Sequence, residues 1–263
     1  MMNLAAEKNI TAPDKKTFGE PIIEIKNLYK SFGNNHVLID FNFTLNRGEN
    51  VVVLGKSGCG KSVLIKCIVG LLKYDSGSIK VFGNEISELK QTELDLLRAR
   101  IGFLFQSSAL YDSMTVGENL EFPFRTHRKD KTKEEISHLV SETLNNVGLL
   151  HAINLMPSEL SGGMRKRIGL ARALILKPEI ILYDEPTTGL DPITAKEISS
   201  LMLQMQQKYN TSSIIISHDM TCARITANRL FMLIDGINYA EGSFEKLKTN
   251  TDTKVHAFFE SEI

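Results

Sequence analysis

Gly55-Lys56-Ser57-Gly58-Cys59-Gly60-Lys61-Ser62 sets glycines, a lysine and a hydroxyl between the short apolar run Val51 to Leu54 and the apolar stretch Val63 to Leu72. The run reads as a buried strand, and the stretch as a helix opened by Ser62. Glycines let the backbone fold back so that successive amide N–H groups point inward at an anion, and the helix N-terminus adds roughly half a positive charge. A polyphosphate is the natural guest. Lys61 would bridge its terminal phosphates, and the Ser62 hydroxyl would ligate the magnesium that travels with them. Far downstream, Ile180 to Tyr183 is an apolar strand ending in Asp184-Glu185. Beside the phosphate loop such a strand would bring Asp184 to the magnesium and leave Glu185 at the γ-phosphate, placed to polarise an attacking water. His218 follows the strand Ser213 to Ile216, where it fits a γ-phosphate sensor that also holds Glu185. Gln106 closes the strand Ile101 to Phe105, and its amide would reach the magnesium or the water. The plain alternatives are a solvated or helix-capping Glu185, a structural His218 and a merely strand-closing Gln106.

Ser161-Gly162-Gly163 precedes an apolar helix through Ile168, Leu170, Ala171 and Leu174. A serine and two glycines at a helix N-terminus make a second anion site, and one chain rarely needs two for one nucleotide. The economical reading is that it serves the nucleotide of another copy. Arg165, Lys166 and Arg167, on the same helix, read as a solvated face lending electrostatic help. Ile198, Leu201, Met202 and Met205 lie at helical spacing and read as core. Cys59 could gain a depressed pKa from the helix N-terminus, but reads more simply as a small residue that fits the loop.

The elements that must position these groups follow from pattern and composition. At 263 residues the chain is long enough for one large domain carrying an inserted subdomain. Its 31 basic and 31 acidic residues cancel, so nucleic acid is not an expected partner. Three cysteines at unrelated spacings suggest neither a disulfide framework nor a zinc site, and a reducing compartment fits. No apolar run approaches the roughly 20 residues a membrane span needs. Residues 1–19 read as a flexible leader. Ile22 to Leu45 is strand-like, with Val37, Ile39, Phe41, Phe43 and Leu45 alternating as one face of an antiparallel strand. Leu230 to Ile234 adds another strand, and helical segments between the strands make the core α/β. From Thr132 to Leu150, residues Ile136, Leu139, Val140, Leu144 and Val147 share one helical face, marking a helical insert over 107–170.

Together these motifs resemble the ATP-binding-cassette ATPases from about Ile22 to Gly242. The resemblance implies a P-loop NTPase core over 20–246, with an antiparallel β subdomain and the helical insert, and a short C-terminal helix and tail over 247–263. By it Phe32 stacks on adenine, Gly55 to Ser62 is the Walker A loop, Gln106 the Q-loop and Leu160 to Met164 the signature. Asp184 and Glu185 are then Walker B and its catalytic glutamate, Gly189-Leu190-Asp191 the D-loop with Asp191 at the nucleotide interface, and His218 the switch histidine. The implied cofactors are ATP and Mg2+, with Ser62, Gln106 and Asp184 around the metal. The implied partners are a second copy, sandwiching two ATPs, and an integral membrane permease. Met164 stands where the signature usually has glutamine, which removes one polar contact but leaves the serine and glycine cradle.

Phe105 to Val116, Leu160 to Arg167, Leu182 to Thr194 and Val255-His256-Ala257-Phe258-Phe259 are similar to the ATPases of bacterial Mla-type phospholipid transporters, which work with Mce-domain proteins. That implies a peripheral protein on the cytoplasmic face of the inner membrane, powering phospholipid movement to or from a periplasmic Mce-type carrier, with a small accessory subunit left open. Two other readings stand beside it: the ATPase of a polar amino acid or other solute importer, and a soluble cassette protein acting on ribosomes or DNA. The last usually has two cassettes in one chain or a long coiled-coil insert, and neither is visible here.

Overall fold

A computed structural model describes residues 18–56, 58–127 and 131–260. Most of the expected leader, Ser57 of the phosphate loop and residues 261–263 lie outside them. The first part of the chain runs Pro21–Phe32 (β1), Asn35–Asn46 (β2), Asn50–Leu54 (β3), Lys61–Ile68 (α1), Ser76–Val81 (β4), Asn84–Glu85 (β5), Gln91–Arg98 (α2) and Ile101–Leu104 (β6). Helices Val116–His127 (α3), Lys133–Asn146 (α4) and Gly162–Leu174 (α5) follow. The remainder is Ile180–Asp184 (β7), Pro192–Tyr209 (α6), Ser212–Ser217 (β8), Met220–Thr226 (α7), Arg229–Ile234 (β9), Ile237–Gly242 (β10), Phe244–Lys248 (α8) and Thr253–Glu260 (α9). Among the described residues no helix is long and apolar enough to cross a membrane.

Strands form two sheets. One is antiparallel, in the order β2-β1-β4-β5, and the other runs β10-β9-β3-β8-β7-β6, parallel except for the edge strand β10. A parallel strand covered on both faces reads as a continuous apolar run, and every residue of β3 and of β8 is buried. Side chains still alternate across the sheet. Val51 and Val53 join a core with β1, β2 and α1, whereas Val52 and Leu54 join a second core built on the helices of the other face. In α4, Val140 and Leu144 are buried in that second core, as is Val147 just past its end, and Ile136 and Leu139 pack at its edge. The helix opens on a capping box, Thr132 Oγ1 accepting from the Glu135 amide (3.2 Å) and Glu135 accepting from the Thr132 amide (2.8 Å).

Two expectations need correction. The alternation in β2 holds for Phe41, Phe43 and Leu45, but Leu38 is the buried residue upstream, with Val37 and Ile39 half-exposed. A bulge at Asp40 (φ 46°) moves the register by one and flips the face. The helix expected through Leu72 ends at Ile68, because Gly70 turns the chain at φ 66°.

Candidate active site

The loop after β3 folds back on itself, and α1 begins at Lys61 with Gly60 as its cap at φ 105°. A Cβ at Gly60 would lie 2.7 Å from Val37 Cγ1 and 3.0 Å from the Val37 carbonyl oxygen, so the loop tolerates no side chain there. Lys61 is buried, and its ammonium donates to the carbonyl oxygens of Gly55 (2.6 Å) and Lys56 (3.1 Å). It also stands 3.9 Å from Glu185 Oε1. Cys59 is half-buried, and burial outweighs the neighbouring Lys61 to push its thiol above the ordinary value. The helix N-terminus therefore does not depress it, and Cys59 fits the reading as a small loop residue.

The parallel sheet brings the ends of β3, β6, β7 and β8 to one edge, as open α/β sheets do at their ligand sites. A cavity of about 640 Å³ opens there. Phe32, Lys56, Gly58, Gly60, Lys61, Ser62, Gln106, Asp184, Glu185 and His218 all line it. Residues from five separate parts of the sequence thus converge. Ser62 Oγ donates to Asp184 Oδ1 at 3.5 Å. Asp184 is half-buried, and desolvation, with the adjacent Glu185 charge second, holds its carboxyl above the usual range. Two oxygen donors side by side, one an underpaired carboxylate, suit a hard cation. Among the described residues no cluster of three or more His, Cys, Asp and Glu could hold a metal ion.

Glu185 adopts φ 51°, fixed by its amide donating to the Ile216 carbonyl oxygen (3.0 Å). Its carboxylate faces His218 Nδ1 at 2.7 Å and accepts from Thr188 Oγ1 at 3.3 Å. An ionised carboxylate only accepts, so Nδ1 carries the proton of that bond; a second donation from Nε2 needs the imidazolium. Phe32 is half-exposed at the cavity mouth, with the Lys30 ammonium 5.1 Å from its ring centroid. Asp75 anchors this corner, accepting from Lys30 Nζ (2.9 Å) and from the Ser31 amide (2.6 Å).

Ser161, Gly162, Gly163 and Asp191 do not line the cavity. Ser161 caps α5, its Oγ accepting from the Met164 amide at 3.2 Å. Asp191 caps α6, accepting from the amides of Ile193 (3.1 Å) and Thr194 (3.0 Å) and from Thr194 Oγ1 (2.6 Å), which holds its carboxyl below the usual range. The two caps are neighbours: a Cβ at Gly162 would sit 3.5 Å from Leu190 Cδ2, and one at Gly163 2.8 Å from Thr194 Cγ2. They form a second exposed surface apart from the cavity.

Of the basic triplet on α5, Arg165 is exposed and Arg167 half-exposed, as a solvated face would be, but Lys166 is not. Lys166 is buried, and its ammonium donates to the carbonyl oxygens of Gln106 (2.5 Å) and Glu185 (3.3 Å). Arg165 donates to the Leu160 carbonyl oxygen (2.6 Å), and Arg167 pairs with Glu197 (2.9 Å). The signal was present in the sequence: Lys166 lies four residues before Leu170 and eight before Leu174, in line with the helix's apolar stripe.

A family model described as ABC transporter matches residues 38–188. The chain belongs to the ABC transporter family. It is 41% identical over 249 residues to the probable ribonucleotide transport ATP-binding protein mkl of Mycobacterium tuberculosis, covering 94% of this chain and 69% of that protein. It is 38% identical over 241 residues to the intermembrane phospholipid transport system ATP-binding protein MlaF of Haemophilus influenzae, covering 92% of this chain and 91% of MlaF. Among solved structures, a dimeric ATP-binding cassette in a post-hydrolysis state, bound to ADP and Pi, superposes with a TM-score of 0.76 at 32% identity, covering 84% of this chain and 98% of the other. This ABC transporter chain is an ATPase subunit with the P-loop NTPase fold, of a kind that works as a dimer with a membrane permease.

Proposed function

We propose that this ATPase powers a transporter moving phospholipid between the inner membrane and a periplasmic Mce-type carrier, from the cytoplasmic face of that membrane. The observation that carries the reading is the likeness to MlaF, which spans 91% of MlaF's length. In the proposed cycle the adenine stacks on the free face of Phe32, and the loop amides with Lys61 hold the phosphates. Ser62 and Asp184, with the Gln106 amide, would hold a magnesium ion, whose charge would offset that of the phosphates and of Asp184 itself. Glu185 orients water for attack. His218 steadies Glu185 through Nδ1 and, as the imidazolium, donates to the γ-phosphate through Nε2. Ser161 to Gly163 and the Asp191 turn belong to the nucleotide of a second copy, so hydrolysis waits on closure of the pair.

Residues after Gln106, in the insert over 107–170, would receive a cytoplasmic helix of the permease. A groove of about 540 Å³ supports this, walled by Phe103, Phe105, Tyr111, Phe122 and Arg172. The rings of Phe103 and Phe105 stack at 4.0 Å, and those of Tyr111 and Phe122 meet at 4.7 Å, a preformed apolar seat.

The likeness to mkl, named for ribonucleotide transport, favours a second reading as the ATPase of a solute importer. Purification from gently solubilised native membranes, followed by mass spectrometry of proteins and lipids, separates the two. A permease recovered with an Mce protein and phospholipid is the expected result. A permease recovered with a solute-binding protein would move the assignment to solute import.

A further inference from the structure

Helix α5 does more than present Ser161 at its N-terminus. One side of it carries Lys166, Gly169 and Arg172 in successive turns, and this side grips the turn that follows β6. Lys166 donates to the Gln106 carbonyl oxygen (2.5 Å), and Arg172 to those of Ser108 (3.1 Å) and Ala109 (2.8 Å). Between them Gly169 allows close approach, since a Cβ there would lie 2.7 Å from Leu104 Cδ1 and 3.0 Å from Ser108 Cβ. Ser108 and Ala109 hold φ of 62° and 46°, conformations that side-chain-bearing residues adopt only when held.

Lys166 also reaches the second catalytic turn. Its ammonium donates to the carbonyl oxygen of Glu185, itself at φ 51°, which the Thr188 amide also approaches at 3.3 Å. A buried ammonium is costly, and a methionine or leucine would fill the same space without that cost. What the ammonium supplies and an apolar side chain cannot is a bond to the main chain of two residues in the turns after different strands, both of whose side chains face the cavity.

We propose that Lys166 is a positioning residue for hydrolysis, locking the Gln106 and Glu185 turns to each other and to α5, so that the helix presenting Ser161 and the two cavity-facing side chains move as one body. The inference rests on the reading of Glu185 as the group that orients water. It assigns Lys166 no contact with nucleotide.

The test is steady-state and single-turnover hydrolysis by the full chain, with ATP affinity measured separately by equilibrium binding. Methionine is unbranched like lysine and only one atom shorter, but donates nothing; arginine keeps the charge and the donors. Lys166→Met is expected to lower kcat by about tenfold to a hundredfold, the scale of a misplaced catalytic group, while ATP affinity stays within about twofold. Lys166→Arg should outperform Lys166→Met, whereas a packing role would rank them the other way. In the Glu185→Gln background, Lys166→Met should cost little further, because both act on one step. Unchanged kcat in Lys166→Met, a methionine variant better than the arginine one, or an undiminished further loss in the Glu185→Gln background would each overturn the inference. Should Lys166→Met fail to fold, Lys166→Gln, with an uncharged amide on a shorter stem, is ranked against Lys166→Arg: glutamine equal or better overturns the inference, and arginine better supports it. Near-normal turnover in Glu185→Gln alone would overturn the reading of Glu185 itself, and is told apart because Lys166 is then intact.

Discussion

At the residue scale the centre of the site is the Glu185 carboxylate, held by His218 on one side and Thr188 on the other, with the Lys61 ammonium just beyond hydrogen-bond reach. Glu185→Gln keeps the shape and removes the charge that, in the proposed cycle, polarises the attacking water. Turnover should fall by about 100-fold or more, while ATP still binds; near-normal hydrolysis would take Glu185 out of the chemistry. Asp184 makes a different prediction. Its carboxyl lies above its unfolded value through burial and the neighbouring Glu185 charge, so the folded chain keeps this proton at pH values where the unfolded chain has lost it. Stability from this group is full below the unfolded carboxyl pKa and is lost as pH rises through the folded one. Asp184→Asn should therefore melt higher than the parent near neutral pH without nucleotide or metal, with the gap closing in acid, and should lose magnesium-dependent hydrolysis. A gap that widens in acid would contradict this electrostatic reading. Charged groups with motif neighbours, such as Lys61 and Glu185, were legible in the sequence; Lys166 was not, because a charge between two arginines reads as solvated until its place in the apolar stripe is counted.

Elements explain why those side chains meet. The five core strands were legible because β3, β7 and β9 are near-continuous apolar runs, β8 carries three successive isoleucines, and β6 is bounded by the turn at Gln106. The register of β2 was not, since nothing in an alternating pattern announces a bulge at Asp40. Nor was the closeness of β6 to α5. A Cβ at Gly102 would lie 2.3 Å from the Ala173 carbonyl oxygen, a backbone atom that cannot swing aside. Gly102→Ala should force strand and helix apart at a cost of about 1–3 kcal/mol, read as a lower melting temperature or denaturant midpoint. An unchanged midpoint would mean the packing of this helix is looser than its contacts imply.

On the scale of the whole molecule the chain carries two separate surfaces, which the proposed cycle joins in one reaction. The cavity holds Lys61, Ser62, Asp184, Glu185 and His218, while the caps at Ser161 and Asp191 lie elsewhere and face outward. Two such chains related head to tail would each complete the other, so neither copy should turn over ATP alone. The direct test mixes two inactive proteins. Lys61→Ala breaks the cavity and Ser161→Arg blocks the exposed cap, so a homodimer of either has no complete site. A mixed dimer has one, formed by the intact cavity of one copy and the intact cap of the other. With random pairing, half the dimers are mixed and each keeps one site of two, so activity should return to about a quarter of the parent value. Activity that stays at the level of the separate variants at every mixing ratio would contradict a composite site shared between two copies.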